Sequence, residues 1–261
     1  MTIDGRENGA HERFREGLVI PAMPLALSAE REFDPVSQRA ILRYYVDAGS
    51  GGIAVGVHST QFAIREFPAF FENVLTFARE IIADWIQRRE TRIVMIAGVC
   101  GTTRQALSEA RLARSLGYDA GLLSLSAYPQ AAVDELVEHA RTITREIPVI
   151  GFYPQTAVGG RRLPYEFWRR FAELENIWGI KVAPFDRYAT LDVMRGVADS
   201  GRAGELALYT GNDDAIVADL LTKYRPAGRA RSSFCARART RRPVVCRSRR
   251  TFSRLARTSP R

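Results

Sequence analysis

The chain has 261 residues, 46% of them hydrophobic and 26% charged, with a formal net charge of +9. These values match a soluble globular protein and exclude wholesale disorder, collagen-like repeats and coiled coils, while the length suits a single α/β barrel of roughly 250 residues. The charge is not spread evenly: residues 222–261 hold 13 Arg, one Lys and no acidic residue, leaving 24 basic against 29 acidic groups, or −5, in the first 221. A mildly acidic body with a very basic tail argues against a nucleic-acid-binding body and makes any phosphate binding by the tail incidental.

Cys100, Cys235 and Cys246 have neither metal-site spacing nor the even number of a disulfide framework, and His is scarce, so neither a metal nor any other cofactor is expected. A polar start without a signal-peptide core and the absence of a long apolar run predict a cytoplasmic protein off the membrane.

In chain order, residues 1–17 read as an N-terminal extension. Apolar runs at 18–23, 52–57, 93–99, 120–126, 148–153, 177–182 and 205–210 then predict seven strands. They are continuous rather than alternating, the pattern of strands covered on both faces. Helix signals fill most of the intervals. Asp34-Pro35 caps one helix, Thr103 opens another that Gly117 ends, and amphipathic stretches cover 134–146, 164–175, 187–199 and 213–224. A repeat of about 30 residues without a glycine-rich dinucleotide fingerprint favours a (β/α)8 TIM barrel over a doubly wound sheet. The barrel spans 18–224 and is one unit short, because the pattern stops at Tyr224 and only residues 243–246 could form an eighth strand.

Barrel chemistry sits at the carboxyl ends of strands. The sixth predicted strand ends at Lys181, the one lysine of the acidic body, between Ile180 and Val182. A buried amine there can condense with a ketone as a Schiff base; alternatively its stem lines the barrel mouth and its head pairs with a carboxylate. Tyr153, ending the fifth predicted strand, is a proton relay or an aromatic cap with a bonded hydroxyl. His58, Ser59 and Thr60 suit carboxylate binding, and equally an ordinary turn.

Ile147-Pro148-Val149-Ile150-Gly151-Phe152-Tyr153, Ile177-Trp178-Gly179-Ile180-Lys181 and Gly211-Asn212-Asp213-Asp214 together resemble the dihydrodipicolinate synthase and N-acetylneuraminate lyase family over residues 18–224. The Tyr and Gly-Ile-Lys elements stand 28 residues apart, as in the family. The resemblance implies that Lys181 forms a Schiff base with pyruvate or another 2-oxo acid and that Tyr153 relays protons. It further implies that Gly211 and Asn212 border the substrate with His58, Ser59 and Thr60, and that Tyr128 is a catalytic residue that crosses to a partner subunit of a homodimer or homotetramer; alternatively Tyr128 is a surface-loop aromatic.

Departures shape the expected activity. The family's carboxylate loop appears as Gly56-Val57-His58-Ser59-Thr60-Gln61, and Val158 stands where the synthase branch has an Arg for its aldehyde substrate. A lyase or aldolase other than a true dihydrodipicolinate synthase is therefore expected, with a 2-oxo acid dehydratase or an inactive truncated relative as alternatives. Residues from Arg225 onward read as out-of-frame translation of a GC-rich gene, and a barrel one strand short is expected to melt broadly or aggregate.

Overall fold

The structure, a computed structural model, describes residues 3–89 and 92–224. Six parallel strands stand side by side in sequence order: β1 (Gly52–Val55), β2 (Val94–Val99), β3 (Ala120–Leu123), β4 (Val149–Pro154), β5 (Ile177–Ala183) and β6 (Ala207–Thr210). Around them run α1 (Ile3–Glu16), α2 (Pro35–Asp47), α3 (Pro68–Arg89), α4 (Thr103–Ser115), α5 (Val133–Thr144), α6 (Tyr165–Ala172), α7 (Arg187–Asp199) and α8 (Ile216–Leu221). This is a partial α/β barrel in which every strand from β1 on is followed by a helix. The expected residues 243–246, like the rest of the basic tail, lie outside the described residues.

Alternation along the strands divides the core into two layers. Ile53, Met95, Leu123, Val149 and Ile180 face outward onto Leu75, Ala110, Leu136, Phe167 and Val193 of the helices. Ala54, Ile96, Leu122, Ile150, Phe152, Trp178 and Ala207 face inward. Both faces are therefore dry, which is why the strands read as unbroken apolar runs. The expected cap is formed: Asp34 Oδ1 accepts from the amides of Val36 and Ser37, each at 3.0 Å, and Asp186 does the same for Tyr188 and Ala189 at 2.8 and 3.0 Å.

Two regions differ from expectation. Residues 18–23 lie parallel beside β1, with Met23 N donating to Ala54 O at 2.8 Å and Ala54 N to Pro21 O at 3.0 Å, yet Ala22 makes the single bridge there. Pro21 and Pro24 have no amide proton to extend a ladder, so the expected first strand is an edge segment. The stretch before it is a helix that enters the barrel. Phe14 is buried among the inner-face residues, its ring 4.6 Å from that of Tyr209 and 5.8 Å from that of Trp178. Tyr209 Oη donates to Phe14 O at 2.6 Å and accepts from Leu18 N at 3.0 Å, while Arg15 reaches Gly204 O at 2.6 Å. Thus α1 closes the amino end of the barrel, leaving the carboxyl end for chemistry.

The third feature is a register slip. Val149 pairs with Ile177, but Ile150 pairs with Gly179, and the offset persists through Phe152 with Lys181 and Tyr153 with Val182. One extra residue in β5 therefore changes the spacing of paired residues from 28 to 29. A one-residue bulge re-aims every side chain beyond it.

Candidate active site

Ile180 and Val182 belong to the outer layer, so the strand alternation turns Lys181 inward at the carboxyl end of β5. Its register neighbours are Phe152 on β4 and Tyr209 on β6, and Nζ lies 5.0 Å from the centroid of the Phe152 ring. Gly211 makes room for the stem: a side-chain carbon there would come within 3.0 Å of Lys181 Cε. Burial holds the ammonium below the usual lysine range, and the Asp213 carboxylate partly offsets this. No ion pair to Lys181 occurs among the described residues. Phe152 offers its ring face to the cation, a contact that does not hold the proton as a carboxylate would.

Tyr153 is placed elsewhere. It belongs to the outer layer, with its ring 5.1 Å from that of Trp168 on α6. Its hydroxyl accepts from Leu163 N at 3.2 Å and donates to Leu163 O at 3.4 Å. Burial raises its pKa, further disfavouring phenolate. The structure does not bring Tyr153 to Lys181. The expected pair rested on a separation of 28 residues, and the slip between β4 and β5 puts Phe152 opposite the lysine instead.

The loop after β1 divides its three candidates. His58 is exposed, Ser59 half-buried and Thr60 buried. Thr60 Oγ1 accepts from Gly56 N at 3.1 Å and donates to Met23 O at 2.7 Å, so both its roles are taken by the backbone of the loop and the edge segment. Asn212 is likewise committed. Its Oδ1 accepts from Phe185 N at 3.0 Å, and its Nδ2 donates to Asp219 Oδ2 at 2.9 Å and Thr190 Oγ1 at 3.2 Å. It fixes the loop after β6, which holds Gly211 against Lys181. Tyr128 is half-buried in its own chain. Its hydroxyl accepts from Thr103 N at 2.9 Å, shares a second bond with Thr103 Oγ1 at 2.9 Å, and its ring leans on His139 at 4.8 Å.

Sequence reasoning missed the clamp that holds the mouth. Arg65 Nε donates to Glu109 Oε1 at 2.9 Å and Oε2 at 3.1 Å, and its Nη2 donates to Gly56 O at 2.8 Å and Gly98 O at 3.1 Å. Glu109 Oε2 also accepts from Cys100 N at 3.1 Å. This buried pair joins the ends of β1 and β2, but its partners stand 44 residues apart with no local motif to link them. Among the described residues, no group of three or more His, Cys, Asp and Glu could hold a metal ion, and no helix is long and apolar enough to cross a membrane.

A sequence profile of the Dihydrodipicolinate synthetase family matches residues 16–224. Among curated relatives, the chain is 27% identical over 211 residues to a 4-hydroxy-tetrahydrodipicolinate synthase of Laribacter hongkongensis, covering 78% of this chain and 66% of that one. It is 26% identical over 206 residues to an N-acetylneuraminate lyase of Citrobacter koseri, covering 78% and 65%. The chain thus spans just under two thirds of the length of these relatives. Solved structures show the same fold. The dihydrodipicolinate synthase of Thermotoga maritima has a TM-score of 0.65 at 19% identity, covering 77% of this chain and 65% of that one. The chloride-inhibited dihydrodipicolinate synthase of Acinetobacter baumannii, complexed with pyruvate, has a TM-score of 0.63 at 22% identity, covering 77% and 65%.

Proposed function

The chain belongs to the Dihydrodipicolinate synthetase family, and from that membership we propose that it is a Schiff-base lyase or aldolase acting on pyruvate or another 2-oxo acid, with Lys181 as the nucleophile. One observation carries the reading: an inward-facing lysine at the carboxyl end of a barrel strand, half-buried and without an ion-pair partner among the described residues. Amine attack on a ketone requires the neutral form, which this burial favours. The amine adds to the carbonyl carbon, the carbinolamine loses water, and the resulting imine withdraws electrons from the adjacent carbon-carbon or carbon-hydrogen bond.

The same reading departs from dihydrodipicolinate synthesis. Val158, at the expected guanidinium position, is an apolar residue ending a short 3-10 turn, and counting from Phe152 instead lands on Ala157. Tyr153 is assigned to packing and Tyr128 to bracing α4 against α5. Self-association into a dimer or tetramer belongs to the proposal, rests on family membership, and is checked by sedimentation velocity.

Imine and enamine forms interconvert by loss of a proton from the carbon next to the former carbonyl. Methyl protons of pyruvate should therefore exchange with deuterium in D2O, followed by NMR, faster with the protein than with Lys181→Met. Equal rates for the two would overturn the proposal.

A further inference from the structure

The row of residues that contains Lys181 continues across the sheet. Lys181 pairs with Phe152, and Leu123 with Gly151, so the next step of the β3–β4 register sets Ser124 beside Phe152. Leu123 and Leu125 face outward and Leu122 inward, which turns Ser124 toward the interior. Ser124 is 3% exposed. Its Oγ donates to Ser126 Oγ at 3.2 Å and accepts from Ser126 N at 3.5 Å, contacts at or beyond the long end of hydrogen bonding.

Several other hydroxyls near the strand ends are committed. Thr60 ties the loop to Met23, Tyr153 is bonded to Leu163, Tyr209 to Phe14 and Leu18, and Thr210 to Asp219. Two strand spacings separate Ser124 from Lys181, about 10 Å between Cα atoms. That span is within the combined reach of a lysine stem, a three-carbon 2-oxo acid and a serine hydroxyl.

We propose that Ser124 contacts the ligand in the Lys181 site, its hydroxyl donating a hydrogen bond to the carboxylate of the 2-oxo acid. This rests on the imine reading above. A buried hydroxyl with only long partners gains by meeting a charged acceptor, whereas the aromatic Phe152 has no donor to give.

The test compares pyruvate with acetone, which offers the same ketone without a carboxylate. The concentration of each needed for half-maximal borohydride trapping on the full chain is read by intact mass. Ser124→Ala should raise the pyruvate concentration at least tenfold and leave that for acetone within twofold. Retained acetone trapping also shows that the variant is folded. An unchanged pyruvate value, or equal losses for both ketones, would overturn the assignment of Ser124 alone. Failure of the unsubstituted chain to trap either ketone would overturn the imine reading and this inference together.

Discussion

Phe152 and Tyr153 are neighbours in sequence on opposite faces of one strand, and the contrast between those faces organises the molecule. The outer face is layered against helices, and its polar atoms are turned back onto the chain, as the Tyr153 hydroxyl is onto Leu163. The inner face is plugged at the amino end by α1 and carries Lys181, Phe152 and Ser124 toward the carboxyl end. On the proposed function, strand alternation divides fold stability from chemistry, so substitutions one residue apart should have different consequences.

The largest stability effects should come from residues that hold both faces in place. Glu109→Ala strands the Arg65 guanidinium in a site where each partner is 7% exposed, and should cost about 3–5 kcal/mol in chemical denaturation. Phe14→Ala opens the amino-end plug and should cost about 3–5 kcal/mol. A loss below about 1 kcal/mol would show that α1 is dispensable to the barrel.

Acid should act through buried histidines, first His139 in the outer layer. His139 is buried with Nδ1 2.8 Å from Thr103 Oγ1, and burial lowers its pKa from 6.5 to about 4. Its folded value lies below its unfolded one, so its contribution is fully present above pH 6.5 and is lost as pH falls toward 4, in total about 3 kcal/mol. His11, stacked on Trp178 with ring centroids 4.8 Å apart, shifts in the same direction through burial and then through Arg15. Denaturation midpoints between pH 7 and 4 should therefore drop less in His139→Gln than in the unsubstituted chain.

Smallest is the substitution that most sharply separates the faces. Tyr153→Phe removes two hydroxyl bonds of 3.2 and 3.4 Å and should cost about 1 kcal/mol while leaving borohydride trapping at Lys181 unchanged. A collapse of trapping in this variant would return Tyr153 to the site.

Much of this was legible in the sequence. The strands from residue 52 onward announced themselves as dry apolar runs, Asp34 as a cap, and Lys181 through the near-absence of lysine elsewhere. What escaped was whatever depends on pairing between strands or on distant partners. The extra residue in β5 leaves no local signature, yet it exchanges Tyr153 for Phe152 opposite the lysine. Arg65 and Glu109 meet only after β1 and β2 are aligned. In α1, burial rests on few side chains of an otherwise polar segment, so no apolar stripe marked it as part of the barrel.

The central claim is that Lys181 is the imine-forming nucleophile. Reduction of the full chain with borohydride in the presence of pyruvate, followed by peptide mapping, tests it most directly because Lys223 is the one other lysine. A single reduced pyruvyl adduct is expected on the peptide containing Lys181, absent in Lys181→Met. An adduct confined to Lys223 or the amino terminus, or none across several 2-oxo acids, would contradict it.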